Sequence, residues 1–437
     1  MGKLLLFIMI LFEVTFAVAC IIKRSSHDRV KNIARIVAFI LFAILCATPI
    51  IELSFRWYAL GALLLIIALK GLYQITNGKN IEKPFKKRKI ILGAVLSCII
   101  SFLVLVPALL FPQYTTPKPT GDYAVATADY TYIDKSRIDE NGANSYVNVS
   151  FWYPENVNDT FPLVVFDHGA FGVRESNHSI YLELASNGYV VCSIDHPGQS
   201  FYTKSKSGVV TYVNKNFLKE VNYGNSESCT AVEAYDLIQK WMKVRTADMN
   251  LTIDSILSNV NKENVGRPYS LINTEKIGLF GHSMGAATSV WGGRERSDID
   301  AVINIDGPYF SEIYYDSSAD EIRALEREYD KPILNIYSDQ VWRQLKDGNE
   351  TGVYAANKIS KEICHESFDM YLEGSKHLTL TDLTLVSPFL TDMLNGEKTT
   401  IDIEYCMKME REAILEFFNC YLKDGPAYTK TGIFTNE

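Results

Sequence analysis

Histidine and cysteine are scarce in this chain, seven and eight among 437 residues, and they do not gather at the short spacings that hold a structural zinc. A metal centre is therefore set aside, and nothing in the pattern asks for a cofactor. No segment repeats itself, so the chain is not a solenoid or a blade array. A basic surplus is missing from most of the sequence: residues 1–112 carry 14 Lys and Arg against 4 Asp and Glu, but the remainder carries 29 against 47. An acidic body of that kind repels polyanions, and nucleic acid is excluded as a partner. Charge is absent altogether from Ile90 to Phe111.

That last gap turns attention to what is present. Leu4 to Ile22 is apolar apart from Glu13, and like Ile90–Phe111 it approaches the ~20 residues with which a helix crosses hydrocarbon. Between them, Ile36–Tyr73 holds only Glu52, Arg56 and Lys70 as charges and is too long for one crossing, so two helices with a turn near Pro49 to Arg56 are expected. Residues 1–112 thus read as a region of about four transmembrane helices that anchors the chain in a bilayer. The basic residues Lys23, Arg24, Arg29, Lys31 and Arg35 fall in one loop, and Lys79, Lys83, Lys86, Lys87, Arg88 and Lys89 precede the last span. Basic loops stay cytoplasmic, which places everything after Phe111 on the extracytoplasmic side of the cell membrane. A cleaved leader ending at Ala17-Val-Ala-Cys20 would instead leave the first basic loop outside, against that rule. Cys20, Cys46 and Cys98 lie in the apolar runs; Cys192, Cys229, Cys364, Cys406 and Cys420 follow, an odd number whose connectivity is not legible, and they are read as buried free thiols, with pairing of some of them in an extracellular body as the alternative.

Residues 113–120 are rich in Pro and Thr and suit a linker. From Gly121 to the end, apolar strand candidates alternate with helical segments, which predicts a mostly parallel sheet covered on both faces. The strand candidates are Leu163–Phe166, Tyr189–Ile194, Ile277–Phe280, Ala301–Ile305, Ile333–Tyr337 and Met370–Leu372, and Met407–Leu422 reads as a closing helix. Residues 203–272 interrupt the rhythm and are read as an insertion, either a lid or mere decoration.

The sharpest signal is Gly281-His-Ser-Met-Gly285, a GxSxG pattern with a strand candidate before it and small residues, Ala286 and Ala287, after it. A strand, a tight turn and a helix expose a serine hydroxyl, making Ser283 the candidate nucleophile. A serine needs a base, and His377 lies in a small-residue loop after the last strand candidate; His365 precedes that strand and is assigned to the surface. Two carboxylates, Asp306 and Asp339, each end a strand and compete to orient the imidazole. Spacing does not choose between them. For the oxyanion, one backbone N–H follows the serine, at Met284, and the second is expected at Ala170 in Asp167-His-Gly-Ala-Phe171. His168 there is read as a prop for the backbone.

Together Asp167-His-Gly-Ala-Phe171, Leu184–His196, Gly281–Ala287, Asn304-Ile-Asp306 and Gly374-Ser-Lys-His377 resemble the platelet-activating-factor acetylhydrolase family, over roughly residues 121–425. The resemblance implies an α/β-hydrolase fold and a lipase or esterase cutting lipid-like or short-acyl phospholipid esters, and it favours Asp306 as the acid. Ala170 stands where the family carries a bulkier apolar residue, and 203–272 does not align clearly. The expectation is a membrane-anchored serine ester hydrolase acting on a lipid or small ester. A peptidase of the same fold and a catalytically silent binding module are the rivals. The oligomeric state is not legible.

Overall fold

The computed structural model describes residues 1–77, 85–138, 142–260, 262–263 and 265–436. Lys79 and Lys83 of the second basic loop lie outside the described residues, as do positions 261 and 264 of the 203–272 stretch. The chain divides into two compact units, one of residues Met1–Thr115 with Leu385–Leu390, the other of Thr116–Thr384 with Thr391–Glu437.

In the first unit the apolar runs form four helices: α1 (Gly2–Ile22), α2 (Asp28–Ala47), α3 (Phe55–Thr76) and α4 (Lys87–Leu110). All four are long and apolar enough to cross a membrane. A helix satisfies its own backbone hydrogen bonds, which is what an apolar surrounding demands. The long middle run breaks between Ala47 and Phe55, where Pro49 and Glu52 fall, with Arg56 just beyond. Glu13, the single charge between Leu4 and Ile22, meets Lys31 Nζ of α2 at 3.1 Å, so that carboxylate is paired.

The second unit holds the mostly parallel sheet, and the α/β-hydrolase fold is present. Its nine strands are β1 (Val125–Ile138), β2 (Asn144–Pro154), β3 (Phe161–Asp167), β4 (Val190–Asp195), β5 (Ile272–His282), β6 (Ala301–Ile305), β7 (Ile333–Tyr337), β8 (Ser367–Leu372) and β9 (Gly432–Phe434). They lie in the order β1-β2-β4-β3-β5-β6-β7-β8-β9; β2 is antiparallel to both its neighbours and all other pairs are parallel. Strands β3, β4, β6 and β7 are buried at every position, as continuous apolar runs inside a parallel sheet must be. The core divides into a cluster on each face.

Six strands follow the sequence reading, whereas β1, β2 and β9 were not foreseen. The 203–272 stretch needs correction. A short hairpin, Tyr202–Lys204 with Val210–Tyr212, and a helix Lys215–Gly224 stand at its start, but most of the rest is one 30-residue helix, α6 (Ala231–Val260), counted after α5 (His178–Ser186) in the units that cover the sheet. The buried side chains Ile238, Met242, Met249, Ile253 and Ile256 join α6 to the core. The stretch therefore carries a core helix of the connection from β4 to β5 and is not an insertion throughout.

Candidate active site

Strand β5 ends in Phe280-Gly-His282 and the next residue, Ser283, turns the chain at φ 57° and ψ −122° into helix α7 (Met284–Glu295). Few non-glycine residues hold such a backbone, and it persists because its surroundings leave no alternative. Ser283 N–H donates to Ile305 O at 2.8 Å, tying the turn to the end of β6. Glycine is required on both sides: a Cβ on Gly281 would lie 2.3 Å from Gly285 O, and one on Gly285 only 2.0 Å from Asp167 O. Helix α7 thus sits close enough to β3 to bring the loop after β3 beside the serine. Ser283 is half-buried.

Asp306 directly follows β6, is fully buried and also has a positive φ of 57°. Its Oδ2 lies 2.7 Å from His377 Nδ1. Ser338 braces the same carboxylate, its N–H donating to Oδ1 at 2.6 Å and its hydroxyl to Oδ2 at 2.7 Å. Asp339 is occupied elsewhere: it accepts from Gly374 N–H at 2.7 Å, Tyr371 OH at 2.8 Å and Lys376 Nζ at 2.9 Å. Burial opposes ionisation of Asp339, yet these donors outweigh it and hold the carboxyl below its ordinary value. Of the two competing acids, the structure brings Asp306 to His377.

His377 is clamped by its own backbone as well. Gln340 Oε1 accepts from its N–H at 3.0 Å, and its carbonyl oxygen accepts from His282 Nε2 at 2.9 Å. Burial, with His377 alongside, pushes His282 well below the ordinary imidazole value, so His282 is a neutral ring whose proton is on Nε2. The rings of His282 and His377 lie with centroids 4.5 Å apart. Since His282 directly precedes Ser283, this contact sets the imidazole of His377 beside the serine turn. His365 lies away from this cluster, its N–H bonded to Tyr329 O.

The loop after β3 carries Ala170, the residue expected to give the second N–H. Phe171 N–H donates to Gln199 O at 3.2 Å and Gly172 N–H to Gly169 O at 3.0 Å. Among the described residues Ala170 N–H has no acceptor, and Met284, as the first residue of α7, has no partner for its N–H within the helix. His168 is fully buried, and its Nδ1 lies 2.6 Å from Gly169 O. A carbonyl only accepts, so Nδ1 carries the proton and Nε2 accepts from Ser200 Oγ at 2.7 Å. Burial, reinforced by the charge of Arg245, keeps this ring neutral, far below its ordinary value.

Comparison with known proteins now decides the family. Residues 144–430 match the family described as platelet-activating factor acetylhydrolase, isoform II. The chain belongs to this family. Platelet-activating factor acetylhydrolase from Canis lupus familiaris is 23% identical over 283 residues, 62% of this chain and 59% of that protein. That from Bos taurus is 22% identical over 284 residues, 60% of this chain and 58% of the relative. The chain thus spans less than two thirds of the length of these relatives. Lysophosphatidylserine lipase ABHD12 of Xenopus tropicalis is 26% identical over 132 residues, 28% of this chain and 34% of the lipase. Among solved structures, a ferulic acid esterase from Streptomyces cinnamoneus superposes with a TM-score of 0.55 at 18% identity, covering 71% of this chain and 94% of the esterase, a likeness of fold.

The acetylhydrolase match contains Ala170, Ser283, Met284, Asp306 and His377 and leaves out helices α1–α4. It also contains Asp167, His196 and His282, which lie in the quoted segments but were given no role, and Arg245, which motif reading passed over. Arg245 had a visible signal, since it lies on the stripe Ile238, Trp241, Met242, Met249, Ile253, Ile256 that predicts the buried face of a helix. A lone arginine in such a stripe needs buried partners.

Proposed function

We propose that this protein is a membrane-anchored serine hydrolase of carboxylic esters, with Ser283, His377 and Asp306 as its catalytic triad. The observation that carries the reading is the 2.7 Å contact from Asp306 Oδ2 to His377 Nδ1, with Ser283 on a positive-φ turn directly after His282. Asp306 holds the imidazole with its proton on Nδ1, which leaves Nε2 free to take the serine proton. The serine oxygen attacks the ester carbonyl, and the N–H groups of Ala170 and Met284 receive the charge that develops on the carbonyl oxygen. The imidazolium then returns its proton to the departing alcohol. Water, activated by the same imidazole, releases the acyl group as the acid.

Family membership supports an ester as the substrate, and the relatives' names favour a lipid-like or short-acyl phospholipid ester. Anchoring is supported by the four apolar helices, on which Phe7, Ile66 and Leu92 are 63%, 62% and 69% exposed, a surface suited to lipid. A bilayer anchor keeps the enzyme at high effective concentration beside an ester held in the same bilayer.

Labelling with a fluorophosphonate, followed by assay on phospholipids of graded acyl length and on matched amides, tests this reading. Wild type is expected to label at Ser283 and to release acid from esters. Ser283→Ala is expected to lose the label and several orders of magnitude in turnover. An unlabelled wild type would identify a silent binding module, and faster amide than ester cleavage would identify a peptidase.

A further inference from the structure

A peptide group is planar, with its C=O and N–H on opposite edges, so whatever fixes the carbonyl of Gly169 also aims the N–H of Ala170. Three donors converge on that oxygen: Gly172 N–H at 3.0 Å, His168 Nδ1 at 2.6 Å and Arg245 Nη2 at 3.3 Å. The same guanidinium holds the preceding peptide too, through a bond from Nη1 to His168 O. Its Nη1 also reaches Asp167 Oδ1 at 2.5 Å, and its Nε donates to Gln199 Oε1 at 2.9 Å. Gln199 in turn accepts the Phe171 N–H through its backbone oxygen. Every one of these partners belongs to the loop that carries Ala170, to the last residue of the strand that leads into it, or to Gln199, which braces it.

Arg245 comes from the middle of α6 and is fully buried. Desolvating a guanidinium is expensive, and an apolar side chain would fill the space at lower cost if filling were all that was needed. The rest of the constellation keeps the arginine in register. His196 Nε2 lies 3.0 Å from Asp167 Oδ2, its Nδ1 lies 2.9 Å from Asp248 Oδ2, and Asp248 sits one turn after Arg245 on the same helix and also pairs with Arg137. Two donors aimed at backbone carbonyls, with a counter-ion chain behind them, form a fork that fixes two successive peptide planes.

We infer that Arg245 is a positioning residue for the oxyanion site: it orients the Gly169–Ala170 peptide and, as a cation bonded to its carbonyl, polarises the Ala170 N–H toward the developing negative charge. The inference rests on the ester hydrolase reading above. Arg245 touches no reacting atom. Its effect falls on the transition state, where the oxyanion exists, and spares ground-state binding.

The test compares the full-length wild type with Arg245→Lys, Arg245→Met and Gln199→Met in lipid nanodiscs, using p-nitrophenyl butyrate as substrate. Two inhibitors are measured beside it: an alkyl trifluoromethyl ketone, which becomes an oxyanion on the serine, and the corresponding secondary alcohol, which does not. For Arg245→Lys we expect kcat to fall about 10- to 100-fold, less than the roughly 100- to 1,000-fold of deleting an oxyanion donor outright, with KM within about 3-fold. Ketone affinity should fall in parallel with kcat and alcohol affinity should hold. Gln199→Met, which leaves the Arg245–Asp167 pair intact, should show the same pattern more weakly; it decides the matter where Arg245→Met strands Asp167 and fails to fold. Folded variants that keep kcat and ketone affinity within about 2-fold overturn the inference, as does equal loss of ketone and alcohol affinity, the mark of a purely structural role. A wild type that neither hydrolyses the ester nor binds the ketone removes the ester hydrolase reading itself.

Discussion

Asp306 and Asp339 stand at the ends of neighbouring strands, and only their partners tell them apart. Asp306 is fully buried and bonded to His377 and Ser338, whereas Asp339 is bonded to Lys376, Tyr371 and Gly374. Asp306→Asn should therefore lower kcat by about four orders of magnitude through loss of the productive tautomer, while Asp339→Asn should keep it within about tenfold. Steady-state rates on one soluble ester decide this; a crippled Asp339→Asn with a near-normal Asp306→Asn reverses the assignment. The sequence offered both residues with equal local logic, because spacing along a chain carries no information about which loop folds over which strand. A third carboxylate, Asp382, is buried against Ser179, which donates its N–H at 2.7 Å and its hydroxyl at 2.6 Å. Burial outweighs those bonds and pushes Asp382 up to about 6 from an ordinary 3.8. A folded-state value above the unfolded one contributes stability that is complete below the unfolded value and is lost as pH rises through the folded one. The melting temperature of wild type should carry a component that declines between about pH 4 and about pH 6, and Asp382→Asn should flatten it; an unchanged slope would refute the assignment.

At the scale of elements, the unit from β5 through Ser283 to α7 was the most legible part of the chain. Its cues are local: an apolar run, glycines where backbones cross, and small residues on the helix face that meets the sheet. The close seat of α7 on β3 leads to a direct expectation. Gly285→Ala places a methyl 2.0 Å from Asp167 O, and backbone on both sides must shift. A loss of about 1–3 kcal/mol in stability, read as a lowered unfolding midpoint, should accompany loss of activity. A Gly285→Ala variant with native stability and rate would show that the contact yields freely. Strands β1 and β2 were missed for the opposite reason. Polar and apolar residues mix along β1, as in Val125-Ala-Thr-Ala-Asp-Tyr-Thr-Tyr132, and its antiparallel pairing with β2 is a non-local property. Helix α6 was legible only in part, as a helical patch over Thr230 to Val244, because its polar outer face obscured the stripe of buried residues that runs on to Ile256.

For the whole molecule, the expected topology places the acidic hydrolase unit outside the cell, with the basic loops inside. Protease added to intact cells should then cleave in the Pro/Thr-rich segment 113–120 and release the unit, with Ser283 still reactive toward a fluorophosphonate. Cleavage only after permeabilisation would invert the orientation. The charge asymmetry that motivates this expectation is a bulk property of the chain, +10 over residues 1–112 and −18 beyond them, and needs no fold to be read.

The sequence by itself determined what depends on nearest neighbours along the chain: four helices of membrane-spanning length, the strand–turn–helix at Ser283, the loop carrying Ala170, and His377 in a loop after the strand Ser367–Leu372. Each rests on hydropathy or on backbone geometry within a few residues. Between Asp306 and Asp339 spacing was silent and only the family resemblance leaned to Asp306; the tertiary structure brought that residue to His377, set α6 on the core, and carried Arg245 across 76 positions to the carbonyl of Gly169. Those outcomes depend on how strands are ordered in the sheet and how closely α7 and α6 approach it, and such distances are set by packing many remote residues together.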